Sequence, residues 1–369
     1  MAKFLANIFL KGAGIVFFFL FLTASDTTQQ VMENLGVPQS TSANLQEMLR
    51  VSDQRDKFFF EQPFEVFIGK DGSIYVQEHK KFLKFDADGK FVKNLMKWGE
   101  GPGELNGNLT DVIVRENDII LYSSNVIKLV RINLDGGLIE EKKFKKGPFG
   151  ALLGYYDGKY YLAKVERQED TLKSGIQEEN RRILIVSEKE DIHPTPYLLP
   201  LTVSEAVGGR MRLTLQISRF MPLRVSDRYV FLFHTPEYLI KVLDLEKGEI
   251  THSFRRNYKR VKYDYKPQIK SLIELPPMPK YHNDLCRLLW YKDKLWAVTS
   301  TFEKNKGILV DVFSPEGQYL DNFYLPLFKI NRDNIQYYAP MAIHGNFLYT
   351  LEPDENDLIT LVKYEITNK

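Results

Sequence analysis

The chain has 369 residues, of which 44% are hydrophobic and 27% are charged, a composition typical of a globular protein. Its net charge of +2 excludes a whole-molecule attraction to nucleic acid or to an anionic membrane. A single cysteine, Cys286, excludes an intramolecular disulfide. Because the sequence marks no base beside it, Cys286 is interpreted as a small buried side chain.

The first 25 residues have the pattern of an export signal. Lys3 and Lys11 precede an apolar run, and small residues follow it up to Ser25. We expect cleavage near Ser25, which places the mature protein in the periplasm or outside the cell. The alternative is an uncleaved membrane anchor from Phe4 to Ser25, in which Lys11 would lie within the hydrocarbon layer.

Residues 26–52 are polar and predict a spacer, whereas residues 53–369 predict one all-β domain. From residue 53 onward, short alternating apolar runs are separated by turn residues, and no long amphipathic helix interrupts them. Closed all-β folds often use this many residues as a single domain. Residues 53–369 are therefore predicted to form a single domain.

A four-stranded unit repeats along this domain. It is clearest over residues 64–95 and 111–144, and later copies keep the same order of strands and turns. The second strands of the copies are centred near residues 75, 121, 161, 230, 296 and 348. This spacing predicts a six-bladed β-propeller with four-stranded antiparallel blades. The stretches 166–182, 200–218 and 255–283 are predicted to be insertions within blades.

The last repeat ends with its third strand, Leu361–Ile366, and has no fourth strand after it. At the other end of the domain, Asp56–Phe60 precedes the first blade without a partner of its own. We expect this N-terminal segment to pair with Leu361–Ile366 and close the ring, since closure removes an exposed sheet edge.

The loop Gly99-Glu-Gly-Pro-Gly-Glu104 follows the fourth strand of the first blade. A Gly-x-Gly-Pro-Gly-Glu loop at this position resembles the bacterial six-bladed β-propeller family related to NHL repeats. The resemblance covers residues 60–145 and implies the fold and an envelope location, but it transfers no catalytic residues. Many members of that family carry a lipid-modified cysteine after the signal, and this chain has none there. Glu104 is expected to be held by backbone amides or by a nearby lysine.

One face of the predicted ring collects polar residues from several blades. In an antiparallel blade, the crossing to the next blade and the loop between the second and third strands open on the same face, which we call the rim face. The candidate binding residues on it are His79, Arg219, His234, His282, Asn283 and Tyr338, with Ser123–Asn125, Tyr337 and Glu352.

No metal site is predicted from this set. Imidazole is a common metal ligand, but the three histidines include no closely spaced pair. The segments Asp86-x-Asp88-Gly89 and Asn133-x-Asp135-Gly136 resemble part of a calcium loop but lack its remaining ligands, and turn chemistry explains them. No cofactor is predicted, and a Ca²⁺ ion bound in the central channel is left as an alternative.

The insertion at 255–283 begins with a basic stretch in which tyrosines alternate with Arg255, Arg256, Lys259 and Arg260. Such a stretch can bind nucleic acid, but we expect no nucleic-acid partner for an exported protein. An envelope protein, an anionic glycan or a small ligand would use the same side chains. The competing interpretation is a solvated edge strand and loop.

Taken together, the residues favour an exported, monomeric propeller that binds or scaffolds in the cell envelope, with no catalysis evident. The alternative is a propeller enzyme, a lyase or hydrolase, whose active site is assembled on the rim face from several blades.

Overall fold

The computed structural model describes residues 31–34, 41–54, 56–145, 150–166, 175–208, 211–216, 222–233, 237–263, 279–328 and 340–367. All regular secondary structure in these ranges is β-strand. They contain no helix long and apolar enough to cross a membrane. The signal or anchor predicted for residues 1–25 lies outside the described residues.

Three short strands precede the first blade. They are β1 (Val31–Asn34), β2 (Thr41–Ser42) and β3 (Leu45–Val51). All three lie within the segment predicted as a polar spacer, so sheet structure begins before residue 53. We refer to β1–β3 as the N-terminal belt.

The first three blades follow in chain order. Blade 1 comprises β4 (Glu65–Ile68), β5 (Ile74–Gln77), β6 (Phe82–Phe85) and β7 (Phe91–Asn94). The crossing to blade 2 contains the short parallel pair β8 (Lys97–Trp98) and β9 (Glu104–Leu105). Blade 2 comprises β10 (Asp111–Val114), β11 (Asp118–Ser123), β12 (Lys128–Asn133) and β13 (Leu138–Lys143). Blade 3 comprises β14 (Ala151–Tyr156), β15 (Lys159–Glu166), β16 (Gly175–Ser187), β17 (Ile192–Gly208) and a fifth strand, β18 (Met211–Gln216).

The other three blades complete the ring. Blade 4 comprises β19 (Leu223–Arg224), β20 (Tyr229–Phe233), β21 (Ile240–Asp244) and β22 (Glu249–Arg256). Blade 5 comprises β23 (Leu285–Tyr291), β24 (Lys294–Glu303), β25 (Gly307–Phe313) and β26 (Tyr319–Leu325). Blade 6 comprises β27 (Met341–His344), β28 (Phe347–Pro353) and β29 (Ile359–Ile366), with β3 as its fourth strand.

The six-bladed propeller predicted from the repeat is confirmed, and each predicted second strand is found in its blade. Six apolar clusters hold the ring together in the described part of the chain, one at each junction between neighbouring blades. The cluster at the closing junction joins Val66 and Val76 of blade 1 to Tyr349 and Leu351 of blade 6. Burial between blades, not within one sheet, therefore stabilises the architecture.

The predicted insertions of blade 3 are largely strand. Within 166–182 and 200–218, the described residues from 175 to 208 extend β16 and β17 into one long antiparallel hairpin, and β18 adds to its edge. The third predicted insertion is described at its two ends only. There the backbone amide of His282 donates to the carbonyl of Val261, and the amide of Tyr263 donates to the carbonyl of Lys280.

Ring closure uses an N-terminal strand, as predicted, but not the predicted residues. β3 pairs antiparallel with β29, from Val51 opposite Leu361 to Leu45 opposite Ile366. The assignment to Asp56–Phe60 is wrong because the aromatic residues there fill a core instead. Phe58 is buried and stacks on Phe91 at 5.0 Å between ring centroids.

The belt follows the outside of three successive blades. β1 pairs in parallel with β22 of blade 4, and β2 pairs in parallel with β26 of blade 5. Asn34 fixes the first contact: its amide donates to the carbonyls of Arg255 and Gly317, and its side-chain oxygen accepts from the amide of Tyr319. The belt thus adds an outer strand to two blades and then completes blade 6.

The Gly-Pro-Gly loop has the expected anchoring of its glutamate. The Glu104 carboxylate accepts a hydrogen bond from the amide of Gly101 at 2.9 Å. An added Cβ at Gly99 would lie 2.1 Å from Glu104 Oε2, so a side chain there would displace the Glu104 carboxylate. Glu104 therefore organises the crossing from blade 1 to blade 2.

Candidate functional site

The predicted rim-face residues are only partly described. Arg219, His234, Tyr337 and Tyr338 lie outside the described residues. The described candidates are His79, Ser123–Asn125, His282, Asn283 and Glu352. The rim face itself is supported by a hydrogen bond from the amide of Leu109, in the crossing to blade 2, to the carbonyl of His79, in a second-to-third strand loop.

The described candidates lie in different blades, and each has its own local contacts. His79 is exposed in blade 1, where its ring packs 4.9 Å from that of Phe64. His282 is buried at the entry to blade 5, with its ring 4.7 Å from that of Tyr263. Glu352 is buried in blade 6 and accepts a hydrogen bond from the Tyr364 hydroxyl.

In the described residues, no group of three or more His, Cys, Asp or Glu side chains is placed to hold a metal ion. The two calcium-like segments are turns. Asp86 accepts hydrogen bonds from the amides of Asp88 and Lys90, and Asn133 accepts equivalent bonds from Asp135 and Gly137. Their side-chain oxygens therefore serve the backbone of their own hairpins.

Two arginines cross the central channel. Arg287 of blade 5 forms a two-pronged ion pair with Glu65 of blade 1, at 2.6 and 2.7 Å. Arg224 of blade 4 donates to the carbonyls of Leu152 and Leu153 in blade 3 and of Val112 in blade 2. Calcium in the channel remains a prediction, and two guanidinium groups there oppose it by charge repulsion.

A cavity of about 440 Å³ lies at the end of the channel where the turns between first and second strands meet, on the face opposite the rim. We call it the channel cup, and it was not predicted from the sequence. Residues from blades 1, 2, 3, 4 and 6 line it.

A second cavity, of about 410 Å³, lies on the rim face at the junction of blades 4 and 5, and we call it the rim cavity. It includes three of the four basic residues predicted from the 255–283 stretch. Its lining consists of Glu33, Glu237, Tyr238, Arg255, Arg256, Asn257, Tyr258, Arg260 and Asp284. Lys259 is exposed but does not line this cavity.

Arg256 forms the floor of the rim cavity. It is the last residue of β22, so it belongs to the blade and not to the insertion predicted from residue 255, and it is buried, with 7% of its surface exposed. Its Nε donates to the carboxylate of Asp311 at 2.9 Å. Burial is the largest single effect and opposes its charge, but Asp311, Tyr238 and Tyr319 together outweigh it and raise the pKa of Arg256.

Three tyrosines surround this ion pair. The rings of Tyr238, Tyr258 and Tyr319 lie 5.8, 5.6 and 5.4 Å from the Arg256 guanidinium carbon. The hydroxyls of Tyr238 and Tyr319 also donate to Asp311. Asp311 thus accepts three hydrogen bonds, and Arg256 is held rigidly between aromatic faces.

The two terminal nitrogens of Arg256 make no hydrogen bond to any described residue, and neither of them is fully enclosed. The two terminal nitrogens of Arg256 are therefore charged hydrogen-bond donors that are available to a ligand at the floor of the rim cavity. A planar guanidinium matches the geometry of a carboxylate or phosphate group.

The other two arginines of the rim cavity have carboxylate partners. Arg255 bonds Glu33 of the belt at 2.6 Å and Glu237 at 3.4 Å. These partners are largely exposed, so the pairs contribute little to stability and can rearrange for a ligand. Arg260 bonds Asp284 at 3.1 Å. Burial raises the pKa of Asp284 to about 6, although Arg260 opposes that shift.

Sequence reasoning missed the partners of these arginines. The useful signal was Asp311, an acidic residue in the middle of the apolar strand Gly307–Phe313. A carboxylate buried at such a position requires a cationic or hydrogen-bonding partner. Glu33 and Asp284 carried no comparable signal, since each lies in a polar stretch of the sequence.

Comparisons with known proteins support the fold. A family model, DUF5128, described as a 6-bladed beta-propeller, matches residues 38–267. No curated protein matches the sequence. A solved structure from Bacteroides fragilis NCTC 9343, named as an exported protein, is 14% identical, with a TM-score of 0.55 and coverage of 92% of this chain and 99% of that one. A DUF4221 family member from Bacteroides vulgatus ATCC 8482 is 13% identical, with a TM-score of 0.50 and coverage of 90% and 100%.

Proposed function

Since this chain belongs to the DUF5128 family of six-bladed β-propellers, we propose that it is an exported binding module of the cell envelope whose rim cavity takes an anionic ligand. Export is supported by the N-terminal signal pattern and agrees with the name of the Bacteroides fragilis structure. The observation that carries the ligand class is the unused donor pair of Arg256 at the floor of the cavity.

The chemistry of the cavity favours a carboxylate attached to a polar body. Three arginines converge on a volume of about 410 Å³, which is within the range that holds a small ligand. Arg256 is rigid and buried, whereas Arg255 and Arg260 are more exposed and can close over an anion from the sides. Among the partners considered from the sequence, a carboxylated glycan matches these features best.

The first test is binding of trigalacturonate, compared with its uncharged methyl ester, by isothermal titration calorimetry. The double variant Arg255→Gln/Arg260→Gln keeps Arg256 in place, so the fold should be retained. Each charge-assisted hydrogen bond contributes about 1.5–3 kcal/mol, so we expect the affinity of the double variant to fall by tenfold or more. Affinity for wild type should also weaken as salt is raised.

The matched control is Arg182→Gln, which removes an arginine paired with Glu166 in blade 3, away from the rim cavity. It should bind trigalacturonate as wild type does. Equal binding of the acid and its methyl ester, or unchanged binding by the double variant, would contradict an anion site in the rim cavity.

The pH dependence of this binding follows from Asp284. Its raised pKa of about 6 means that the carboxyl is largely protonated at pH 5 and ionised at pH 7.5. Ionisation adds a negative charge beside Arg260 and near Glu237, which repels an incoming anion. We expect affinity for trigalacturonate to fall by roughly threefold or more between these pH values.

The variant Asp284→Asn isolates this effect, because it keeps the size of the side chain and removes its titration. Its affinity for trigalacturonate should be the same at pH 5 and pH 7.5, within error. A decline as large as that of wild type would assign the pH dependence to another group.

A further inference from the structure

The geometry points to a second ligand site: we propose that the channel cup binds a small organic anion, with a carboxylate directed to Arg224 and an apolar body against the cup wall. This site lies on the face opposite the rim cavity and does not depend on the proposed function. Its lining combines side chains from five of the six blades.

Arg224 gives the cup a fixed cationic floor. Arg224 is half-buried, and its guanidinium is tied to three backbone carbonyls of blades 2 and 3, so its position is set before any ligand arrives. Burial lowers the pKa of Arg224 to about 10, which still leaves it charged at neutral pH. Among the described residues, no carboxylate forms an ion pair with it.

The carboxyl groups whose charges act on Arg224 are those of Asp111 and Glu65. Glu65 is already neutralised by its two-pronged pair with Arg287. Desolvation raises the pKa of Asp111, which disfavours its charged form. The positive charge of Arg224 is therefore only partly compensated within the channel, and an anion in the cup would complete the balance.

The wall of the cup has charged and apolar parts. Lys70 pairs with Glu116 at 2.6 Å, and Arg115 lies 3.7 Å from Asp227 with its guanidinium over the ring of Tyr155. With Arg224, three cationic side chains face two carboxylates in the lining. The apolar part consists of Ile68, Ile113, Val114, Val225 and Leu245.

This combination selects the ligand class. A fully hydrophilic anion would leave the apolar wall in contact with water, and a neutral apolar molecule would leave Arg224 without a counterion. A monocarboxylate with an aromatic or aliphatic body satisfies both surfaces. The cup volume of about 440 Å³ is sufficient for such a molecule.

The test uses phenylacetate as the probe and phenylacetamide as its neutral counterpart, with binding followed by ligand-observed NMR on the purified protein. Phenylacetate should bind wild type at least about tenfold more tightly than the amide, because only the acid can pair with Arg224. The variant Arg224→Gln should lose that preference. His344→Trp narrows the cup but leaves Arg224 in place, and should weaken binding of both probes.

The matched control is Arg228→Gln, which removes an arginine of blade 4 that pairs with Asp244 outside the cup. It should bind phenylacetate as wild type does. Equal affinity for the acid and the amide, or unchanged binding by both cup variants, would overturn the proposal. If Arg224→Gln fails to fold, His344→Trp and the comparison of the two probes still decide the question.

Discussion

Replacing Asp311 with alanine is expected to lower the free energy of unfolding by about 3–5 kcal/mol, because the change leaves a buried charge without its counterion. Asp311 is fully buried and receives hydrogen bonds from Arg256, Tyr238 and Tyr319. Urea denaturation of wild type and variant, followed by tryptophan fluorescence, measures the difference.

Two further variants separate the ion pair from general damage to the core. The double variant Arg256→Met/Asp311→Leu removes both charges and should recover much of the lost stability, as apolar replacements of buried pairs often do. Asp135→Ala removes an exposed carboxylate that lies 3.9 Å from Lys84, and should change stability by less than about 0.5 kcal/mol. A loss of stability in Asp311→Ala no larger than that of Asp135→Ala would contradict the counterion role.

Removing the closing strand should have the largest effect on the whole fold. A chain that begins at Asp53 lacks β3, so blade 6 keeps three strands and β29 becomes an exposed edge. We expect this truncated chain to aggregate, or to melt at least about 15 °C below wild type. A chain that begins at Thr41 keeps β2 and β3 but loses the hydrogen bonds of Asn34, and should melt roughly 5–10 °C below wild type.

Differential scanning calorimetry measures both truncations. A synthetic peptide covering residues 41–54 provides the control, because it should pair with β29 and raise the melting temperature of the shorter chain. Similar melting temperatures for the two truncated chains would show that β3 is not the strand that closes the ring.

The number of blades and the position of each second strand could be predicted because that strand is buried on both faces. Tyr75 and Tyr122, for example, are fully buried within blades 1 and 2. Such strands are continuous apolar runs in the sequence, and their period reports the architecture directly. The turns Asp86–Gly89 and Asn133–Gly137 also marked the repeat, because their residue types favour tight hairpins.

The closing strand could not be assigned in this way because β3 covers the outside of blade 6. Gln46, Glu47 and Met48 are exposed, so its sequence resembles a polar linker. The aromatic residues at Phe58 and Phe60 gave a stronger apolar signal, although they belong to a core. The hydrophobic pattern therefore favoured Asp56–Phe60 over β3. An outer strand such as β3 is held mainly by backbone hydrogen bonds, which leave no apolar pattern in the sequence.

The candidate site was predictable in part. The basic stretch from Arg255 to Arg260 drew attention to the correct region, but charge alone did not separate the buried Arg256 from the exposed Lys259. That distinction depends on where β22 ends and on Asp311, which lies in another blade. The channel cup gave no sequence signal, because its residues come from single turns far apart in the chain.

The belt also sets the order in which the protein can fold. Arg50 and Thr360 are hydrogen-bonded partners 310 positions apart, so β3 cannot pair until β29 has been synthesised. Blades 1–5 can form from their own residues while the chain is still growing, but blade 6 cannot. Joining two distant segments carries a large loop-closure entropy and slows folding. We therefore expect closure of the ring to be a late and slow step, and β3 and β29 to stay exposed to other unfolded proteins until they pair.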